Sequence, residues 1–336
     1  MKYKIAVIGT GYMARKHCEV LASEANASLE VICSTERSRG IAETFKDLYG
    51  FRQSTTDYAA VLSDPNIDLV FICSPDYTHP DYVVPALQAD KHVFCEKPLG
   101  RTIEHFEAIR RQLNTSGKVL QVGMNCRFRE QYSIPKQRIE AGEFGQLRFL
   151  RGTYIYNTVA AVRYRQKAWC LEYPPGIFPF MHGGGIHCLD LIRWIGGRIT
   201  SVHAFANGFE LADDWKADTF AVILAFANGA IGELLVSAAA FRPNDFGLEM
   251  WLERGSIIAT SVYHRDNDEI KPAPEQIVVE QKTIDLALQF QDMVRAVESG
   301  CGPLNSFDEA YQNFRVLSAI DQSINESKPV EITDPE

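Results

Sequence analysis

The chain has 336 residues, 46% of them hydrophobic and 23% charged, with a formal net charge of −9. That length exceeds what one hydrophobic core ordinarily serves, so two domains are expected. The negative balance excludes the basic face that nucleic acid or an anionic membrane requires. No apolar run approaches the roughly 18 residues of a membrane span, and Met1–Lys4 lead into a strand rather than a secretory signal. The eight cysteines, at 18, 33, 73, 95, 126, 170, 188 and 301, form no Cys-x-x-Cys pair. They read as structural thiols of a reducing, cytoplasmic compartment, and no metal is expected.

Taken in order, Ile5–Ile8 is a fully apolar run, the mark of a buried parallel strand. Gly9-Thr10-Gly11-Tyr12-Met13-Ala14 follows at once, and a helical pattern continues to about Ala22. This is G-x-G-x-x-A between a strand and a helix. Gly9 permits the tight turn, Gly11 lets backbone N–H groups approach a pyrophosphate, and Ala14 lets the helix pack on the strand. The next strand, Leu29–Cys33, ends in Ser34-Thr35-Glu36-Arg37-Ser38-Arg39. A dinucleotide site often has an acid there for the ribose 2′-OH. Here Ser34 holds that place, and Thr35 and Arg37 suit a 2′-phosphate, so NADP(H) is favoured over NAD(H). Glu36 keeps the NAD(H) reading open, since a shift of the turn would offer it to a ribose.

Asp68–Cys73 is the next buried strand, closed by Ser74-Pro75-Asp76-Tyr77-Thr78-His79-Pro80, a turn placed to line a cofactor cleft. A helix over Tyr82–Ala89 leads to the strand His92–Cys95, which stops at Glu96-Lys97-Pro98 because proline cannot donate to a central ladder. A helix with Ile103, Phe106, Ile109 and Leu113 and a strand over Lys118–Gly123 continue the alternation. A doubly wound parallel sheet, a Rossmann domain over residues 1–125, is the economical fold.

From residue 126 to 336 the pattern changes to a second, α+β domain with an open, mainly antiparallel sheet. A helix at Ser133–Ala141 and a strand at Leu147–Tyr156 are followed by long strands at Ser201–Phe209, Thr219–Ala227 and Ala230–Ala240. Asn228-Gly229 signals a two-residue hairpin, and Arg254-Gly255 a second one. Helical patterns near Ile284–Glu298 and Asp308–Ile324 close the chain, with the C-terminal helices able to pack back on the first domain.

Two stretches of this second half carry chemistry. In Met181–Trp194 a glycine triplet delivers His187 at a helix start, with Asp190 three residues on and so on the same side. Histidine exchanges protons near neutrality; a core histidine bonded to backbone is the alternative, and His182 is weaker still. Arg163-Tyr164-Arg165-Gln166-Lys167-Ala168-Trp169 could grip a sugar, carboxylate or phosphate, or serve as a basic surface loop or subunit contact.

These motifs together resemble the Gfo/Idh/MocA family of NAD(P)-dependent oxidoreductases, which includes glucose–fructose oxidoreductase and inositol dehydrogenase. The resemblance spans nearly the whole chain and rests on Gly9–Ala14, Glu96-Lys97-Pro98, Asn125-Cys126-Arg127-Phe128 and Gly185–Asp190. It implies that Lys97 and His187 are catalytic and that the bond before Pro98 is cis. Asp190 would contact substrate hydroxyls, and Arg127, Arg163 and Arg165 are the further candidate substrate ligands. Ser74, Pro75, His79 and Asn125 would join the Gly9–Met13 turn, Ser34, Thr35, Arg37 and Lys97 around the cofactor, and Glu96 would position the lysine or the nicotinamide ribose. Many relatives have an aspartate four residues before the histidine, where this chain has Gly183.

The implied reaction is hydride transfer between nicotinamide and a hydroxyl-bearing carbon of a sugar, polyol or sugar derivative, in a homodimer or homotetramer without nucleic-acid or membrane partners. Two other readings share the fold: an NAD(P)-binding sensor without turnover, and an NAD-dependent glycosidase.

Overall fold

A computed structural model describes residues 2–157, 173–210, 216–266, 269–270, 273–280 and 284–333. They belong to two compact units, Met1–Phe128 with Lys282–Tyr311, and Arg129–Gln281 with Gln312–Glu336. The first break thus follows Phe128 rather than residue 125, and the stretch that returns to the first unit is 282–311.

In the first unit the apolar runs are parallel strands: β1 (Tyr3–Ile8), β2 (Ala27–Cys33), β3 (Gln53–Thr55), β4 (Leu69–Ile72), β5 (His92–Cys95) and β6 (Leu120–Val122). Helices α1 (Tyr12–Leu21), α2 (Arg39–Tyr49), α3 (Tyr58–Ser63), α4 (His79–Gln88) and α5 (Ile103–Ser116) connect them. The sheet runs β3-β2-β1-β4-β5-β6 with every pair parallel. The order reverses between β1 and β4, the switch point at which open α/β sheets bind their ligands.

Helix α1 buries Ala14, His17, Cys18 and Leu21, a stripe at helical spacing. Ala14, Cys18 and Leu21 pack with Ile5, Val7, Phe71 and Phe94 of the sheet, and Phe290 and Met293 of the returning helix join the same core. Each such aliphatic or aromatic side chain contributes about 1.5–3 kcal/mol on burial.

In the second unit, α6 (Glu130–Glu140) precedes β7 (Leu147–Asn157), and α7 (Ile186–Gly196) precedes β8 (Ile199–Asn207). Strands β9 (Thr219–Phe226), β10 (Ile231–Ala240), β11 (Asp245–Leu252), β12 (Gly255–Ile258) and β13 (Ser261–Asp266) follow. Short strands β14 (Glu269–Ile270) and β15 (Glu275–Gln276) pair with β13. Helix α8 (Asp285–Ser299) belongs to the first unit; α9 (Phe307–Glu326), from Gln312 onward, and β16 (Val330–Glu331) belong to the second. The sheet runs β14-β13-β12-β11-β7-β10-β9-β8-β16.

It is antiparallel except at its centre, where β7 and β10 run parallel. The β9–β10 hairpin forms at Asn228-Gly229, but its loop takes in Ala227–Ala230, with Gly229 at φ +85°. The β11–β12 turn falls on Glu253-Arg254, one residue earlier than the sequence signal.

The inner face of this sheet carries α7. A Cβ on Gly152 would stand 2.5 Å from Cys188 Sγ and 2.6 Å from Ile192 Cδ1, so only glycine lets the helix lie this close to β7. Cys188, Leu189, Leu191 and Ile192 of α7 are fully buried. Among the described residues no helix is long and apolar enough to cross a membrane.

Candidate active site

The carboxyl edge of the parallel sheet gathers the motifs of the first unit. Backbone bonds lock its strand ends side by side: Gly9 N–H donates to the Cys33 carbonyl (2.8 Å), Cys73 N–H to Ile8 (2.8 Å), and Glu96 N–H to Ile72 (2.9 Å). Gly9 has φ +109°, and a Cβ there would stand 2.7 Å from the Cys73 carbonyl oxygen, so the turn after β1 touches the turn after β4.

Helix α1 starts at Tyr12 with Gly11 as N-cap and no side-chain cap. A Cβ on Gly11 would meet nothing within 4 Å. Uncapped N–H groups, the positive end of a helix and open space before it fit the pyrophosphate of a dinucleotide. Thr10 and Met13 are half-buried and Tyr12 is exposed around that space.

Beyond β2, Ser34 is buried and its Oγ donates to the Thr35 carbonyl (3.1 Å). Thr35 and Arg37 are exposed. Glu36 is engaged, accepting from Arg39 (2.6 Å) and from Thr56 (2.6 Å). Arg37 has no such partner among the described residues.

The turn after β4 is held by Thr78, whose Oγ1 lies 2.8 Å from Ser74 Oγ and 2.6 Å from the Pro75 carbonyl. His79 is 1% exposed, with Nδ1 2.7 Å from the Pro98 carbonyl and Nε2 3.0 Å from the Ser74 carbonyl. Burial holds its imidazole below the ordinary pKa against the opposing pull of Asp76. A neutral imidazole carries one N–H, so His79 donates to one of these two carbonyls, packed between the β4 turn and the β5 turn. Arg101 and Asp76, both buried, pair across the same two turns (Nε to Oδ2 3.1 Å), and the guanidinium lies over Tyr77.

Lys97 is half-buried at the end of β5, and the Lys97–Pro98 peptide is cis. Glu96 beside it is 5% exposed, and its Oε1 meets His17 Nε2 at 2.8 Å. Burial pushes this carboxyl up, but the His17 hydrogen bond and charge, with Lys97, outweigh it and hold the group below the usual carboxylate pKa. Glu96 is turned to the interior, where its two oxygens meet His17 and the Lys97 N–H. Asn125 is half-buried and its amide donates to Asp285 Oδ2 (2.7 Å), so part of its expected capacity toward the cofactor is committed.

In the second unit a single wide turn, Met181–Gly185, runs directly into α7. His187 lies in the first turn of α7, half-buried, its ring stacked 6.3 Å from that of Tyr154. Asp190 is fully buried and accepts from Asn313 Nδ2 at 2.6 Å. Three-residue spacing sets it near His187 on α7, with its carboxylate in the interior. Arg127, 2% exposed, donates to Glu309 (2.7 Å) and to the Leu304 carbonyl (3.2 Å) within the first unit. Arg163 and Arg165 lie outside the described residues.

Sequence reasoning passed over His17 and the Arg101–Asp76 pair. The signal for His17 was present: it is the polar member of the stripe Ala14, His17, Cys18, Leu21. It passed over also His182 as a working pair: His182 Nε2 meets Asp321 Oδ2 at 2.7 Å, both buried, which anchors the turn ahead of His187 to α9.

Residues 3–124 match the oxidoreductase family with an NAD-binding Rossmann fold, and residues 134–258 match the GFO/IDH/MocA C-terminal domain. The chain is 30% identical over 264 residues to myo-inositol 2-dehydrogenase of Thermotoga maritima, covering 77% of this chain and 75% of that one. It is 27% identical to scyllo-inositol 2-dehydrogenase (NAD(+)) of Bacillus subtilis, covering 96% and 90%. A solved structure of levoglucosan dehydrogenase in complex with NADH shares the fold with a TM-score of 0.86 over the full length of both chains, at 22% identity. The chain belongs to the Gfo/Idh/MocA family of oxidoreductases.

Proposed function

We propose that the protein oxidises or forms a secondary alcohol of a polyol, sugar or sugar derivative with a nicotinamide cofactor. The observation that carries this reading is the meeting, on one edge of the parallel sheet, of the uncapped Gly9–Met13 turn, the Ser74-Pro75 turn and Lys97. The inositol dehydrogenases among the relatives supply the substrate class.

Nicotinamide, when bound, accepts the hydride released from the carbon that carries the hydroxyl. The chain's own part is orientation and proton handling. Lys97 donates a hydrogen bond to the substrate oxygen and stabilises the negative charge that develops there. His187 takes the hydroxyl proton on its imidazole in oxidation and returns it in reduction. With Gly183 in place of a carboxylate, these two residues handle the proton between them.

The test is a panel of inositols, other polyols and sugars with NAD and NADP, following reduced nicotinamide for wild type and Lys97→Ala. Loss of one stabilising donor lowers kcat by about 10²–10³-fold; equal turnover by the two proteins would remove Lys97 from the reaction. Turnover of a glycoside with no net reduction would replace the dehydrogenase by a glycosidase.

Within this reading NADP(H) is preferred. Ser34, Thr35 and the unpaired Arg37 suit a 2′-phosphate, and Glu36 is already engaged by Arg39 and Thr56. Arg37→Ala should then raise the Kd for NADP about tenfold or more and leave that for NAD within about twofold, since a charge-assisted hydrogen bond contributes about 1.5–3 kcal/mol. Equal losses would return the preference to NAD. Six of the seven described cysteines are buried and no disulfide joins any two of them, in keeping with a cytoplasmic location. Assembly as a homo-oligomer through the second unit's sheet completes the proposal.

A further inference from the structure

We infer that His17 is a positioning residue for Lys97, acting through the Glu96 carboxylate. The inference rests on the reading that Lys97 works on the substrate.

The contact is built on every side. His17 is 1% exposed and Glu96 5%, and their 2.8 Å bond joins the helix that carries the dinucleotide turn to the end of β5. The imidazole is set against two rings of the sheet, 4.8 Å from Phe94 edge-on and 5.5 Å from Phe71. The second carboxylate oxygen of Glu96 accepts the Lys97 N–H at 3.2 Å. The space around it is cut to the carboxylate: a Cβ on Gly123 would stand 2.9 Å from Glu96 Oε2. His17 therefore fixes one oxygen, and the other fixes the backbone of the lysine.

Stability alone gives no reason for this arrangement. A buried polar pair is generally no more stabilising than apolar residues of the same volume, whereas removal of one partner leaves the other buried and unsatisfied. Its value here is a carboxylate kept ionised beside Lys97. The groups that face Glu96 are His17 from α1, Cys73 from the end of β4, His79 from α4, and Cys95 and Lys97 on its own segment. Burial raises both thiols well above their usual range, so they remain neutral. His79 is held toward neutrality by its own burial. His17 and Lys97 are left as the groups that keep Glu96 charged, and without His17 burial would carry the carboxyl upward, as it does for buried glutamates that titrate at about 8–9.

The experiment compares wild type, His17→Leu, His17→Gln, Glu96→Gln and Lys97→Ala. In cofactor-free protein with 13C-carboxyl glutamate, the Glu96 resonance, identified by its loss in Glu96→Gln, is followed against pH. It should titrate below the usual glutamate range in wild type and above about pH 6 in His17→Leu. In His17→Leu kcat at neutral pH should fall about tenfold or more, with the acid limb of kcat/KM displaced upward and the KM for cofactor within about twofold. His17→Gln, which keeps an N–H donor, should recover most of kcat. Should His17→Leu fail to fold, Glu96→Gln carries the kinetic test and should lose kcat at every pH. Wild-type profiles in His17→Leu, or in Glu96→Gln, beside an inactive Lys97→Ala overturn the inference alone. Wild-type turnover by Lys97→Ala overturns the functional reading beneath it, and the inference with it.

Discussion

Gly183, Gly184 and Gly185 stand side by side ahead of His187, yet their surroundings differ. A Cβ on Gly183 would meet nothing within 4 Å, whereas one on Gly184 would stand 2.9 Å from the Tyr154 ring, and one on Gly185 2.7 Å from Met181 Sδ and 3.1 Å from Val236. Gly185 is the point at which the turn is pressed onto β10, and added volume there moves packed side chains. Gly185→Ala should cost about 1–3 kcal/mol. Gly183→Ala should be neutral, or stabilise by about 0.4–1 kcal/mol by restricting the unfolded chain. Thermal unfolding of the two variants separates them, and a larger loss at Gly183 would show that its surroundings are filled. Gly183→Asp should likewise fold, so that any change it makes falls on substrate preference and not on stability.

At the scale of elements, the two turns that bear Ser74-Pro75 and Lys97 are fastened by the Asp76–Arg101 pair and by His79. Both charges of the pair are 3% exposed. Asp76→Ala leaves a buried guanidinium without its carboxylate, at a cost of about 3–5 kcal/mol. Denaturant unfolding should read that loss as a lower midpoint, and a change under about 1 kcal/mol would mean that other groups satisfy Arg101. How far such detail can be read from sequence depends on what makes each element. Buried parallel strands are unbroken apolar runs, so β1, β2, β4 and β5 and the alternation around them were legible. Strand β3 is three polar residues, Gln53–Thr55, and α3 only six residues, so neither had a pattern to find. The parallel pairing of β7 with β10 joins strands more than seventy residues apart in the chain, and no local signal fixes such a register. The site divides in the same way. Gly9, Gly11 and Lys97 announce themselves because a turn or a strand end forces their position. The contacts of Asp190, Arg127 and Glu96 with Asn313, Glu309 and His17 had no such signal, because a polar side chain in a motif looks the same whether it turns outward or inward.

At the scale of the whole molecule, the second unit's sheet presents an outer face that a monomer would leave in water. Register places Trp251, Phe149 and Ile231 side by side across β11, β7 and β10, and Ile223 and Phe205 continue the face on β9 and β8. Phe205 is 61% exposed, Ile231 56%, Ile223 54% and Trp251 44%. Arg151 lies in the next row, paired with Glu233 at 2.9 Å and Glu249 at 3.4 Å, so the charges on this face are already matched within one chain. Burying such a ladder exposes no unpaired charge to desolvation, whereas an apolar patch of this kind is costly to leave in water. A second copy related by a two-fold axis would meet the face with an identical one, the arrangement of most homodimers. Light scattering coupled to size exclusion should therefore give a multiple of the 37.8 kDa chain mass. The double substitution Trp251→Glu with Ile231→Asp places like charges on both copies and should shift the protein to the monomer, with an unchanged far-ultraviolet circular dichroism spectrum. A wild-type monomer at micromolar concentration, or a double variant that still associates, would take assembly away from this face.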